Sequence, residues 1–359
     1  MPTSAGMTAG PRVTDSQVIF RLEDADRQLA SAAVYQEVRQ PRLGPEMLPV
    51  KGGWTARIRR PPVDRLEYLM VLRHREGGVE WVLDPANPCR ADGPFGVKSV
   101  VEMPGYRPPR WLVDGSSDDP PVRVLRIPSR RLRRRMLVQV WTSPGGASDH
   151  PLPLLLVNDG PEYARFSELL RFLSSAEREG RLPPHHVALL QPNHRDEEYS
   201  ANPAYAAALL DELMPEIEGA VRVRGGERSR AAMGASLGGL AMLHAQRLRP
   251  ELASGLFLQS SSFFRDQDAA REGRLRAFSR VARFVEGLVD GPTPGRPVPA
   301  VLTCGAVEEN LAGNRLVRDA LAALGYPVLL VESRDAHNWT SWRDSFEPHL
   351  IHLLQAAWG

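Results

Sequence analysis

From residue 152 onward, apolar residues come in short unbroken runs: LPLLLVND (152–159), HHVALLQPN (185–193), SRAAMGAS (229–236), SGLFLQSS (254–261), PAVLTCG (299–305) and YPVLLVESR (326–334). A strand covered on both faces has no use for polar alternates, so these runs predict strands of a buried, mostly parallel sheet. Between them lie helix-length segments with a 3.6-residue apolar period, such as NRLVRDALAALG, closed by a Gly suited to a helix end. Repeated strand–helix units predict a doubly wound α/β domain, with its chemistry outside the carboxyl ends of the strands. Just upstream, RVLRIPSRRLRRRMLVQVW predicts two antiparallel strands around a basic turn.

The front of the chain has a different rhythm. WTARIRR, EYLMVLRH and EWVLDP alternate apolar and polar residues and are bounded by Gly or Pro. This predicts antiparallel strands of a small, Ig-like β-sandwich. DGSSDDPPVR (114–123) has the composition of a linker. The expected division is therefore a sandwich domain over 1–117, its first 15 residues disordered, and an α/β-hydrolase domain over 118–359.

Composition removes several classes of function. A formal net charge of +2, with 25% charged residues, gives no electrostatic footprint for nucleic acid or a membrane surface. Cys89 and Cys304 are the two cysteines, too few for a disulfide framework. The first twenty residues lack the apolar core of a signal peptide, and no run reaches the ~20 apolar residues a membrane span needs. A cytoplasmic protein acting on a small molecule is expected; the oligomeric state is left open.

The candidate chemistry starts at Gly234-Ala235-Ser236-Leu237-Gly238, where a predicted strand meets a predicted helix. A G-x-S-x-G turn in that context exposes a nucleophilic serine, and the missing Cβ atoms let strand and helix approach. A carboxylate and then a histidine should follow later strands. Glu308 follows PAVLTCG, with Glu309 as the alternative; His337 follows PVLLVESR, with Asp335 two residues before it as a third candidate acid. His337 would relay the Ser236 proton and the carboxylate would orient the imidazole. The N–H of Leu237 and one from the turn Asp159-Gly160-Pro161-Glu162 would bind the oxyanion. Pro161 has no N–H, so Gly160 or Glu162 would donate, with Gly160 preferred. His349 and His352 lie one helical turn apart without the companions of a metal site, His185, His186 and His244 read as strand-end or surface residues, and RRLRRR reads as a solvated turn. No cofactor and no metal ligands are expected.

With these motifs in place, the chain resembles the enterochelin (enterobactin) esterases, in the esterase-D branch of the α/β-hydrolases. The likeness is carried by GASLGG, by HRDEEYSANPAYAAALLDELMPEI (194–217) with Arg195, Glu198 and Asn202, by CGAVEENLAGNR and by AHNWTSWRD. The front segment WVLDPANPCRADGPFGVKSVVEMPGYRPP is similar to the sandwich module of that family. Together they span roughly residues 20 to 355. The resemblance implies a serine esterase that opens an iron-loaded catecholate trilactone siderophore through an acyl-enzyme, the iron arriving with the substrate. It also suggests that Trp339 and Trp342 stack on flat aromatic rings and that Arg195 meets the anionic ferric catecholate. The bland alternatives are a tryptophan pair in the core and an Arg195 paired with Asp196 or Glu198. Two departures stand out: Asp335-Ala336-His337-Asn338-Trp339 where relatives have Gly-Gly-His-Asp-Trp, and Glu308 where the branch often has Asp. A macrolactone or depsipeptide hydrolase or cyclase of the same mechanism is the rival enzyme. A siderophore-binding protein without turnover is the non-enzymatic rival.

Overall fold

The computed structural model describes residues 10–44, 46–114, 121–146, 150–226, 228–268, 277–291 and 295–359. The chain forms two compact units. The first runs to Arg107 and includes two later segments, Gly305–Glu309 and Arg334–Asn338; the second holds Pro108–Cys304, Asn310–Ser333 and Trp339–Gly359. The division expected at residue 117, with most of its linker, falls outside the described residues. So do residues 1–9 of the expected disordered start, although Arg12–Val13 already form a strand.

The first unit contains β1 (Arg12–Val13), β2 (Gln17–Glu23), β3 (Leu29–Gln36), β4 (Leu48–Val50), β5 (Gly53–Arg59), β6 (Arg65–His74), β7 (Val79–Val82), β8 (Arg90–Ala91) and β9 (Lys98–Glu102). One sheet has the order β1-β2-β5-β4, the other β3-β6-β9-β8 with β7 beside β6. Pairing is antiparallel throughout these strands. The alternation read in WTARIRR sends Trp54, Ala56 and Ile58 inward, and β2 sends Val18, Phe20 and Leu22. They share one core with Val34, Leu66, Tyr68 and Met70 of the other sheet.

The second unit is an eight-stranded sheet. Its strands are β10 (Arg123–Ser129), β11 (Arg134–Thr142), β12 (Leu154–Asn158), β13 (His186–Gln191), β14 (Arg230–Ala235), β15 (Leu256–Gln259), β16 (Ala300–Gly305) and β17 (Val328–Ser333), in the order β10-β11-β13-β12-β14-β15-β16-β17. β10, β11 and β13 pair antiparallel; from β13 to β16 neighbouring strands are parallel. Each buried strand sorts its side chains with period two. Leu154 and Leu156 enter one core with helix residues Leu240, Leu243 and Val317. Leu155 and Val157 enter the other with Leu170, Leu173, Leu350 and Leu354. Here β17 departs from expectation: its residues are half-buried or exposed, because it is the last strand of the sheet. No helix among the described residues is long and apolar enough to cross a membrane.

Helix packing on the sheet also buries titratable groups. His185 lies between the rings of Trp141 and Trp358, at 5.6 and 5.2 Å, and its Nδ1 donates to the Pro183 carbonyl at 2.8 Å. Burial holds this imidazole neutral, lowering its pKa from 6.5 to about 4. As pH falls, the unfolded chain therefore takes up a proton before the folded one does. The contribution to stability is complete above pH 6.5 and is lost as pH falls toward 4. In urea unfolding, wild type is expected to lose stability relative to His185→Gln across that window, with the slope of one proton. Parallel curves for the two proteins would contradict a neutral, buried His185.

Candidate active site

At the end of β14 the chain makes the predicted turn. Ser236 has φ 55° and ψ −125°, and the helix Leu237–Leu248 starts at the next residue. A side chain with a Cβ rarely adopts positive φ, at a cost of about 1–3 kcal/mol, so surrounding contacts must impose it. They do so through glycines. A Cβ on Gly234 would lie 2.5 Å from the Gly238 carbonyl carbon, and one on Gly239 would lie 2.3 Å from Ser261 Oγ. Gly238, the second glycine of the motif, is less constrained, its nearest would-be contact being Asp159 Oδ2 at 3.0 Å. The close approach thus rests on Gly234 and Gly239. The Ser236 backbone is tied on both sides: its N–H donates to Gln259 O at 2.8 Å, and its carbonyl accepts from Ser262 N at 3.1 Å.

Leu237 is buried and opens the helix, so its N–H has no acceptor within the helix. Gly160 holds the same position in the helix Gly160–Phe166, after Asp159 in a left-handed conformation with φ 52°. The carboxylate of Asp159 is buried and gripped by Arg195, with Nε at 2.9 and 3.1 Å and Nη2 at 2.7 Å. Nη2 also reaches the Ala235 carbonyl, at 3.3 Å. Burial works against the guanidinium's charge, but the Asp159 carboxylate outweighs it and raises the Arg195 pKa. Arg195 therefore pairs with Asp159 rather than with Asp196 or Glu198. It ties the turn before Gly160 to the residue before Ser236.

The other residues of the 194–217 segment shape the same region. Glu198 is buried, meets Arg134 at 3.1 Å and accepts from the N–H groups of Asn193 and His194. Asn202 caps the helix Pro203–Ala208 by accepting from Ala204 N at 2.9 Å. Arg134 and Arg131, from the basic run RRLRRR, are both engaged by carboxylates of this region.

Glu308 and His337 meet directly. His337 Nδ1 is 2.7 Å from Glu308 Oε2, and Glu308 Oε1 accepts the Gly305 N–H at 2.7 Å. The carboxylate is buried while the imidazole is about one-third exposed. Asp335 faces its own loop instead: Oδ1 accepts from Ala336 N at 2.7 Å and from Asn338 Nδ2 at 3.0 Å. Burial pushes the Asp335 carboxyl up to about 7, against the opposing charge of Arg65. Both segments pack within the first unit, with Val307 and Ala336 in its core. Arg39 and Gln40 donate their N–H groups to the Val307 carbonyl, and Asp64 donates to Arg334 O.

The tryptophans separate. Trp342 is only 5% exposed, and its indole N–H donates to Ser260 Oγ at 2.9 Å. It packs in a core cluster with Leu350 and Leu354, the bland alternative read for it from sequence. Trp339 is half-buried, edge-on to Trp342 at 4.8 Å and to Tyr163 at 5.2 Å. Sequence reasoning missed Asp159 as a partner of Arg195, and also missed Gln259 and Ser262. Gln259 accepts from Tyr163 Oη at 2.8 Å and donates to Trp342 O and Ser345 Oγ, while its carbonyl holds Ser236 N. Its available signal was a lone amide closing the apolar run LFLQ.

Residues 129–275 match the esterase family model, described as "Putative esterase". Over 306 residues, 82% of this chain and 72% of the other, the sequence is 26% identical to the iron(III) enterobactin esterase of Escherichia coli O6:H1. The fold is similar to that of the enterobactin esterase of Shigella flexneri, solved in the presence of enterobactin. The TM-score is 0.79 at 20% identity, covering 97% of this chain and 96% of that one. The ferric enterobactin esterase of Salmonella typhimurium gives a TM-score of 0.77 at 20% identity, covering 98% and 97%. The chain thus carries an esterase family segment over residues 129–275 and is similar, over most of its length, to proteins named as enterobactin esterases.

Proposed function

We propose that the protein hydrolyses the ester bonds of a ferric catecholate trilactone siderophore, with Ser236 as nucleophile, His337 as proton relay and Glu308 as the carboxylate that orients it. The observation that carries this reading is the positive φ of Ser236 at the strand–helix turn. The Glu308–His337 hydrogen bond of 2.7 Å supports it, as do relatives named for iron(III) enterobactin. His337 accepts the Ser236 proton as Oγ adds to the ester carbonyl, and the oxyanion is held by the N–H groups of Leu237 and Gly160. The proton then passes to the departing alkoxide. Water, activated by the same imidazole, releases the acid and restores Ser236. Iron stays with the substrate's catecholates throughout and takes no part in the ester chemistry. In this reading Arg195 acts through Asp159 and Trp339 supplies an aromatic surface to the substrate. The reaction takes place in the cytoplasm, where the thiols of Cys89 and Cys304 remain reduced.

Mass spectrometry of the ferric and iron-free trilactone, incubated with wild type and Ser236→Ala, tests the reading. Wild type should yield linear trimer, dimer and monomer, and the Ala variant should be slower by at least about a thousandfold. Undiminished hydrolysis in the variant would remove Ser236 from its role; ring closure of a linear trimer by wild type would favour a cyclase.

The choice of acid has its own test. Glu308→Gln keeps the shape but no longer stabilises the imidazolium, so kcat should fall by about 10²–10⁴-fold with KM little changed. Glu309→Gln should stay within about twofold of wild type. Steady-state kinetics on a chromogenic ester checks both, and the reverse ranking would reassign the acid.

A further inference from the structure

We infer that Ser262 is a further catalytic residue, whose hydroxyl donates a hydrogen bond to the reacting oxygen of Ser236; this rests on Ser236 being the nucleophile. Ser262 Oγ lies 3.0 Å from Ser236 Oγ, and the Ser262 N–H donates to the Ser236 carbonyl at 3.1 Å. One residue thus holds the nucleophile by both its side chain and its backbone.

The turn that delivers Ser262 is built for the purpose. Ser260, Ser261 and Ser262 follow β15 and are all buried, with Ser260 at φ 45°. Asn310 Nδ2 donates to the Ser260 carbonyl at 2.8 Å and Asn314 Nδ2 to the Ser261 carbonyl at 2.9 Å. Ser260 N donates to Thr303 O, and Ser260 Oγ accepts the indole N–H of Trp342. Two buried amides, a neighbouring strand and an indole therefore fix a strained turn whose last residue reaches the nucleophile. A buried hydroxyl is costly without a partner, and the partner here is the reactive oxygen.

The chemistry sets the direction of the bond. The proton on Ser236 Oγ is the one that passes to His337, so the proton between the two hydroxyls belongs to Ser262. During acylation, negative charge grows on Oγ as its proton leaves and the bond to the carbonyl carbon forms. During deacylation the C–Oγ bond breaks, its electron pair returns to Oγ, and His337 returns the proton. Ser262 keeps its own proton in both steps and stabilises the charge on Oγ each time.

Stopped-flow kinetics with p-nitrophenyl butyrate on the full-length protein tests this, separating the first p-nitrophenolate release from steady turnover. Ser262→Ala keeps the backbone N–H and should slow acylation and deacylation each by about tenfold, leaving KM unchanged. Ser262→Thr retains the donor and should restore both rates; Ser262→Cys, a weaker donor of similar shape, should fall between. A purely structural role would change the melting temperature and leave both rate constants alone. Wild-type rates in a folded Ala or Cys variant, or a Thr variant as slow as Ala, would overturn the inference. If Ser262→Ala is unimpaired while Ser236→Ala is inactive, the role of Ser262 alone is lost. Turnover that persists in Ser236→Ala removes the nucleophile assignment itself.

Discussion

The close approach of β14 to the helix that follows it is the constraint on which the rest of the site depends. Where Gly234 meets Gly238 and Gly239, there is no room for even one added carbon. That contact lets the helix begin immediately after the strand, so Ser236 has no residue of slack and takes a positive φ. The same geometry leaves the first N–H groups of the helix without internal acceptors. The strained serine and the unpaired backbone N–H groups beside it thus arise together from one packing event. The strain, of order 1–3 kcal/mol, is small beside the burial of this central helix, nearly every residue of which is inside the core.

Around this contact the protein uses buried polar groups as fasteners. Arg195 binds Asp159 and the Ala235 carbonyl, Gln259 links Tyr163 to the helix residue Trp342 and to Ser236, and Asn310 and Asn314 hold the serine turn. Each would be expensive in a dry interior without its partners. Bonded to those partners, each favours one arrangement of the backbone it touches. Precision at the site comes from these bonds more than from apolar packing, which tolerates small shifts.

Much of the architecture was legible because it depends on local rules. Apolar runs marked β12 to β16, since a strand covered on both faces needs no polar residues. Alternation marked β5 and β6. Gly-x-Ser-x-Gly marked the turn, and the chain order offered Glu308, Glu309 and Asp335 as partners for His337, of which Glu308 makes the 2.7 Å hydrogen bond. Long-range partners were illegible. Arg195 has acids at one and three residues' distance in sequence but pairs with Asp159, 36 residues away. Trp339 and Trp342 look alike in sequence, yet helix packing exposes one in part and buries the other. Ser262 sits among three successive serines, and nothing local distinguishes it.

By itself, the sequence determined which segments are strands and helices, where the strained turn falls, and which residue types are on hand for ester chemistry. These follow from side-chain periodicity and from the steric freedom of glycine, both of which act over a few residues. The tertiary structure decided which carboxylate meets His337, which anion holds Arg195, and which hydroxyl touches Ser236. It also decided that residues 305–309 and 334–338 pack with the first unit, through Val307 and Ala336. Those outcomes are contacts between residues far apart in the chain. They depend on the free energy of the assembled core, which no local pattern encodes.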